Sequence, residues 1–174
     1  MGGLIDEDHL TRPASEYGAY KASIEAHLWA DHFAEGRPFA AVRPCAVYGL
    51  DPNLERSIGY PIIKKVRAGQ RIDRKGGGKF VHVDDVAGSL TAIVGNPAAN
   101  GQVYNMTDCY ARWGDFAVWA AEILGVEPDV DLSSPPEPKN VFKKDAVQAL
   151  GIPMDRGHDG LRAHLRELIA TMGT

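Results

Sequence analysis

Two side chains near the start of the chain have the types and spacing for acid–base chemistry. Tyr17 and Lys21 stand four residues apart in an alanine-rich stretch without proline. On a helix they share a face and can meet at one ligand. A free tyrosine has a pKa of ~10, too high for a base at neutral pH. A neighbouring ammonium favours the phenolate and draws that pKa toward ~7, where proton transfer in both directions is efficient. Spacing alone does not single the pair out, because Tyr60 and Lys64 repeat it. Tyr60 immediately precedes Pro61 and stands at a helix entrance, where local packing is the expected role.

The first pair needs a helix to carry it, and the sequence predicts one over residues 14–34. A polar loop, residues 1–13, ends in Arg12-Pro13; Ser15 can cap the helix, and Gly36 and Pro38 stop it. Tyr17, Tyr20, Lys21, Ile24 and Leu28 form one band on the helical wheel, and Ala22, Ala26, Trp29, Ala30 and Phe33 a second, roughly opposite. Residues 39–43 are a short apolar run consistent with a buried strand, followed by a loop over 44–53. A helix is expected over 57–68, with Pro61 in its first turn and Gly69 past its end. A weak strand over 71–74 leads into a turn over 75–78, then an alternating strand over 79–83. Asp84 is the expected cap of a helix reaching residue 94, ended by Asn96-Pro97. Residues 102–106 read as a strand, 113–124 as a helix stopped by Gly125, and the region of Val130 as a short strand. A proline-rich linker over 133–138 precedes helices over 144–150 and 159–172. Strands alternating with helices indicate α/β layering with some parallel sheet.

Composition narrows the function classes. The chain has 174 residues, 44% hydrophobic and 24% charged, as in an ordinary folded domain. Nineteen basic and 23 acidic side chains give a net charge of −4, which argues against nucleic acid or an anionic membrane as partner. No run of about 18 apolar residues predicts a membrane span. The acidic N-terminus does not read as a signal peptide. Two cysteines are too few for a disulfide framework, and the default compartment is the cytoplasm. The six histidines, Cys45 and Cys109 show no metal-ligand spacing, so no metal is expected. Asp84 and Asp85 read as helix-start residues and His82 as a packed or hydrogen-bonded histidine. Gly76-Gly77-Gly78 precedes a strand and does not open a helix, so it is not a phosphate loop.

Four segments follow one another in a telling order: Glu16-Tyr17-Gly18-Ala19-Tyr20-Lys21-Ala22-Ser23, Arg43-Pro44-Cys45-Ala46-Val47-Tyr48-Gly49, Phe80-Val81-His82-Val83-Asp84-Asp85-Val86-Ala87 and Gly101-Gln102-Val103-Tyr104-Asn105-Met106. In order and spacing they resemble the extended short-chain dehydrogenases, specifically the NAD(P)-dependent epimerase/dehydratase family. The resemblance runs from about Ile5 to the final helix. It implies an α/β fold: the carboxyl-terminal part of a Rossmann-like doubly wound sheet plus a small α/β substrate-binding lobe, without the N-terminal dinucleotide-binding βαβ units. Residues 1–174 would form one partial domain. Residues 1–56 would carry the catalytic helix and a late Rossmann strand, and residues 57–174 mainly the substrate-binding lobe with interleaved Rossmann elements.

The same resemblance implies an oxidoreductase that uses NAD or NADP and acts on a sugar or another small hydroxyl or carbonyl substrate. Tyr17 would exchange the proton with the substrate oxygen, and Lys21 would lower the Tyr17 pKa and bind the nicotinamide ribose. Pro44, Cys45, Ala46 and Val47 would line the nicotinamide end of the cofactor site, and the loop over 48–53, with Asn53, would face substrate. Leu50 replaces the commoner proline of that loop. Lys79 stands where nucleotide-sugar enzymes carry an arginine for the diphosphate; a lysine lacks the bidentate fork, which makes a smaller alcohol, ketone or lactone an equal expectation. The first helix is expected to form a homodimer through Ala22, Ala26, Trp29, Ala30 and Phe33, or to be covered by another helix of the same chain; either leaves apolar surface exposed.

A dinucleotide-binding unit needs a strand, a glycine-rich turn and a helix, roughly 30 residues per βαβ unit. Only 16 positions precede Tyr17. Thr11 and Ser15 are the upstream hydroxyls, and both belong to the entry loop rather than to a strand end. The chain therefore reads as the carboxyl-terminal half of such an enzyme, a truncated product inactive alone. The alternative is a stand-alone, non-catalytic binding or interaction module, or one half of a split enzyme.

Overall fold

The computed structural model describes residues 3–173; positions 1 and 2 of the expected entry loop, and position 174, lie outside the described residues. Strand β1 (Leu4–Ile5) precedes helix α1 (Glu16–Glu35), and β2 (Ala40–Pro44) continues through Cys45 into β3 (Ala46–Tyr48). A 3-10 turn, Leu54–Arg56, leads to α2 (Tyr60–Arg67), β4 (Gly77–His82) and α3 (Val83–Ile93). A second 3-10 turn, Pro97–Ala99, is followed by β5 (Gln102–Met106), β6 (Cys109–Arg112) and α4 (Trp113–Leu124). The chain closes with β7 (Val141–Phe142), α5 (Asp145–Gln148) and α6 (Gly157–Thr171).

The strands form three small sheets. β2 runs parallel to β5, from Ala40 opposite Gln102 to Pro44 opposite Met106. β3 runs parallel to β4, and β4 antiparallel to β6, so Phe80 faces Ala46 on one side and Cys109 on the other. β1 pairs in parallel with β7. The chain passes from one sheet to the next at Cys45. Parallel neighbours need helical crossovers, which is the layering the alternating pattern predicts.

The main core fills the space between the β3–β4–β6 sheet and α2, α4 and α6. Phe80, Phe116, Ile63, Leu161, Leu165 and Leu168 are fully buried there. The Phe80 and Phe116 rings lie 5.2 Å apart, and Trp113 and Trp119 each lie 5.7 Å from Phe116. Helix α4 forms because Trp113, Phe116, Ala117, Ala120 and Ala121 repeat at helical spacing. Asp115 accepts a 2.7 Å hydrogen bond from the Arg112 backbone at its start, and left-handed Gly125 ends it. A second cluster, Val81, Met106, Val147 and Met154, sits behind the sheet junction with Val42 and Cys45 packed on it.

Several local expectations are corrected. Gly77 and Gly78 belong to β4, not to a turn, because they pair with Arg112 and Ala111; a side chain on Gly77 would strike the Ala111 carbonyl and the Tyr110 ring. The cap of α3 is His82 rather than Asp84: its Nδ1 accepts from the Asp84 N–H at 3.1 Å. Asp85 is instead buried against Arg156. The strands expected at 71–74 and near Val130 reduce to one bridge between Ile72 and Val130. The loop over 44–53 contains β3, and the entry loop contains β1.

Candidate active site

Helix α1 presents the Tyr17–Lys21 pair. The Ser15 hydroxyl oxygen accepts from the Gly18 N–H at 3.1 Å, which fixes the first turn, and left-handed Gly36 closes the helix. Lys21 Nζ lies 5.5 Å from the Tyr17 ring centroid and 5.8 Å from that of Tyr20, so one ammonium lies against two aromatic rings. Tyr17 is 71% exposed, open to an incoming ligand.

The part-buried residues of α1 are Gly18, Ala22, Glu25, Leu28, Trp29, Asp31 and His32, a stripe that takes Leu28 from one expected band and Ala22 and Trp29 from the other. Trp29 meets Phe39 edge-on at 4.8 Å. Glu25 takes Arg43 from β2 in a two-point pair, with Nε to Oε2 at 2.9 Å and Nη2 on Oε1. Arg43 Nη1 also donates to the Glu7 carbonyl at 3.0 Å, and Glu7 Oε1 accepts from the Asn105 N–H of β5 at 2.9 Å. The Arg43 guanidinium holds the Glu25 carboxyl below the usual carboxylate range, and Glu25 raises Arg43 in turn. This pair fixes the rotation of α1 on the sheet. Lys21 occupies the next turn of the same face toward the N-terminus, so an i,i+4 reading of Lys21 and Glu25 beside a strand-end arginine could have found it.

A cleft of about 250 Å³ opens there, lined by Arg12, Pro13, Gly18, Lys21, Glu25 and Arg43 among others. It brings Lys21 to the end of β2, one residue before Pro44. Ligands of parallel α/β sheets bind in crevices at the carboxyl ends of strands. Pro44 ends β2, and the Cys45 N–H donates to the Met106 carbonyl at 3.1 Å. Ala46 and Val47 begin β3 and are exposed. Burial pushes the Cys45 thiol up to about 11, although a hydrogen bond with Thr107 and the Lys79 charge act the other way. Lys79, on β4, thus reaches the junction from the second sheet, and its Nζ lies 5.3 Å over the Phe142 ring. Asn53 is exposed; its Oδ1 accepts from the Glu55 N–H at 3.3 Å and starts the first 3-10 turn. Tyr17, Asn53 and Lys79 do not line the Lys21–Arg43 cleft. The second pair behaves as the sequence suggests: Tyr60 opens α2 with Lys64 Nζ 5.7 Å from its ring.

Lys21 thus stands between the exposed Tyr17 ring and a strand-end cleft in which Arg43 is paired with Glu25. Among the described residues, no group of three or more His, Cys, Asp or Glu could hold a metal ion, and no strand enters a helix through a glycine-rich turn. No described helix is long and apolar enough to cross a membrane.

Comparison with known proteins bears on the family and the fold. The model of the "NAD dependent epimerase/dehydratase family" matches residues 3–107. No curated protein matches the chain. Among solved structures, UDP-glucuronic acid 4-epimerase from Bacillus cereus in complex with NAD superposes with a TM-score of 0.77 at 22% identity, over 97% of this chain and 55% of that one. UDP-glucose 4-epimerase from Thermotoga maritima with UDP-glucose gives 0.75 at 20% identity, over 99% of this chain and 58% of that one. UDP-glucose 4-epimerase from Thermus thermophilus with NAD gives 0.69 at 21%, over 95% and 60%. At such identities the likeness establishes the fold, and the chain spans a little over half the length of these enzymes.

Proposed function

Because the chain belongs to the NAD-dependent epimerase/dehydratase family, we propose that it supplies the acid–base half of an oxidoreductase site for a sugar or another small hydroxyl or carbonyl substrate. The observation that carries this reading is Lys21 Nζ at 5.5 Å from the exposed Tyr17 ring, one turn from the Glu25–Arg43 anchor.

In this reading the Tyr17 phenol gives or takes the proton of the substrate oxygen. Lys21 holds its ammonium beside the developing phenolate and hydrogen-bonds the ribose of the cofactor. Bound there, NAD or NADP would supply the hydride chemistry. Pro44, Cys45, Ala46 and Val47 line the nicotinamide end through their backbone, and Cys45 serves as a neutral, packed thiol. Asn53 and Lys79 contact substrate. Lys79 attracts an anionic group as a point charge without a bidentate geometry, so a non-nucleotide substrate fits as well as a nucleotide sugar. In this reading residues 1–56 carry the catalytic helix and a late Rossmann strand, and 57–174 mainly the substrate lobe with interleaved Rossmann elements.

In this reading the described residues serve the reactive end of the dinucleotide; they contain no glycine-rich turn at a helix start for its phosphates. The 174-residue chain is therefore expected to bind the cofactor negligibly by itself. A second reading, half of an enzyme assembled from two chains, draws support from β2, which pairs with β5 on one edge while its other edge has no strand among the described residues. Exposed Tyr20, Ile24 and Phe33 also support self-association through α1.

Calorimetric titration of NADH into the purified chain tests the first part, with no measurable heat expected and submicromolar binding overturning it. With a dinucleotide-binding half added, Tyr17→Phe should lower turnover about 10²–10⁴-fold while leaving thermal stability unchanged. A fully active Tyr17→Phe variant would refute the assignment.

A further inference from the structure

One buried polar cluster lies outside the proposed chemistry. Tyr48 ends β3 with its side chain 1% exposed. Its ring lies between His82, at the end of β4, and His164, in the middle of α6, with centroids at 4.9 and 5.6 Å. Any side chain at position 160 would strike the Tyr48 hydroxyl, so Gly160 is what lets the ring lie under α6. Arg156 grips Asp85 through Nε at 3.0 and 2.9 Å and approaches Asp84 at 3.9 Å. Among the described residues, neither the Tyr48 hydroxyl nor His164 Nδ1 has a hydrogen-bond partner. Buried polar atoms in that condition are few in folded proteins, and each asks for a reason.

The other nitrogen of His164 is engaged. Nε2 lies 2.8 Å from the Ile58 carbonyl oxygen. A carbonyl only accepts, so Nε2 carries the hydrogen and Nδ1 holds a bare lone pair. Ile58 belongs to the segment between the first 3-10 turn and α2, where Leu54 and Ile58 pack on the main core, Gly59 lies against Leu165 and Phe116, and the hydrogen bonds are mainly local. The Ser57 N–H donates to the Leu54 carbonyl at 3.0 Å, and the Asp51 N–H to Ser57 Oγ at 2.9 Å. Beside the apolar contact of Gly59 with Leu165, the His164 imidazole supplies the hydrogen bond that ties this segment to α6.

A proton added at Nδ1 would create a buried cation with no acceptor. His82 faces it across Tyr48 and repels it, and the Tyr48 phenol is uncharged. Glu167, one turn along α6, attracts it weakly. Asp84 and Asp85 on α3 are engaged by Arg156. Burial accordingly holds His164 below the usual histidine range, with His82 adding to the effect, although the hydrogen bond to the Ile58 carbonyl acts the other way.

We propose that His164 is a proton-operated latch: neutral, it clamps residues 54–59 onto α6, and protonated, it releases them. The released imidazole, in water, regains an ordinary pKa of ~6.5. Linkage then raises the released-to-held ratio by up to about tenfold per pH unit below that value. The latch does not depend on the oxidoreductase reading, and its test uses no turnover.

The experiment is amide hydrogen exchange of the whole chain at pH 7.5, 6.5 and 5.5, each rate divided by the intrinsic rate at that pH. Protection across residues 54–60 should fall up to about tenfold between pH 6.5 and 5.5, while α4 keeps its protection. His164→Gln retains a donor for the Ile58 carbonyl and cannot titrate, so its protection should be flat with pH. Equal loss in both proteins, or no loss in the wild type, overturns the proposal. Should His164→Gln fail to fold, nuclear magnetic resonance of the wild-type histidine rings decides. The His164 ring must show the Nε2–H form at neutral pH, and its protonation must track the loss of protection; a different tautomer, or protonation without release, overturns the latch.

Discussion

Helices α1 and α4 differ sharply in how they are held. Among the described residues, none of the 20 in α1 is buried, whereas six of the 12 in α4 are. Helix α4 sits in a closed core of aromatic rings and aliphatic side chains from α2, α6 and the β3–β4–β6 sheet. Helix α1 is fastened by one ion pair and by Trp29 and His32 against Phe39, and it leaves Tyr17, Tyr20, Ile24 and Phe33 in solvent. The residues with chemistry to offer thus lie on the weakly buried element, and the residues that stabilise the fold lie elsewhere. Local stability follows buried apolar contact, so the two regions are expected to open at different free energies.

The largest test of that contrast is truncation of one aromatic in each. Phe116→Ala should destabilise by about 3–5 kcal/mol in denaturant unfolding, from lost burial and the cavity left behind. Phe33→Ala, at a residue 78% exposed, should change stability by less than about 0.5 kcal/mol. Equal costs would break the contrast. Next in size is the anchor. Arg43→Ala should cost about 2–3 kcal/mol, because it strands a largely buried carboxylate, and Glu25→Ala in the same background should add little. Arg43 holds Glu25 below its ordinary range, so this stabilisation is present at neutral pH and is lost as pH falls below about 4.3 toward the lower folded-state value. The Arg43→Ala protein should show a shallower acid limb in pH-dependent melting. The smallest effect concerns the junction. Burial pushes Cys45 to about 11 and Cys109 to about 12, so both stay thiols at neutral pH. Alkylation by iodoacetamide at pH 7.5 should be far slower in the folded chain than in denaturant. Rapid native labelling of Cys45 would show a looser junction than the packing implies.

The parts legible in the sequence were those with local punctuation. β5 and α4 have the expected bounds because Gly101 precedes one and Gly125 follows the other. The start of α1 follows from Ser15. The missed parts depend on distant partners. β1 exists because residues 4 and 5 find Val141 and Phe142, and no local pattern in a polar entry loop announces that. β6 abuts α4 with no turn residue between them, so the change of period was hidden. The two faces of α1 were misdivided because a charged residue, Glu25, lies on the inward side to meet Arg43, and apolar patterning assigns such a residue outward. At the site, Tyr17, Lys21 and the 44–47 segment stood out by type and order, while the anchor that orients Lys21 required the fold.

The ladder between β1 and β7 has a wider consequence. Two rungs, joined by the Lys143–Asp6 pair at 3.1 Å, clasp the start of the chain to a point far along it. Nearly the whole protein becomes a ring closed by its least buried strands. Such a clasp forms after the core and lets go before it, the last rung set and the first lost on warming. Phe142, which carries the Lys79 ammonium on its ring, is part of the clasp. When the ring opens, Lys79 loses its aromatic rest, so a loose clasp and a mobile lysine on β4 are one event.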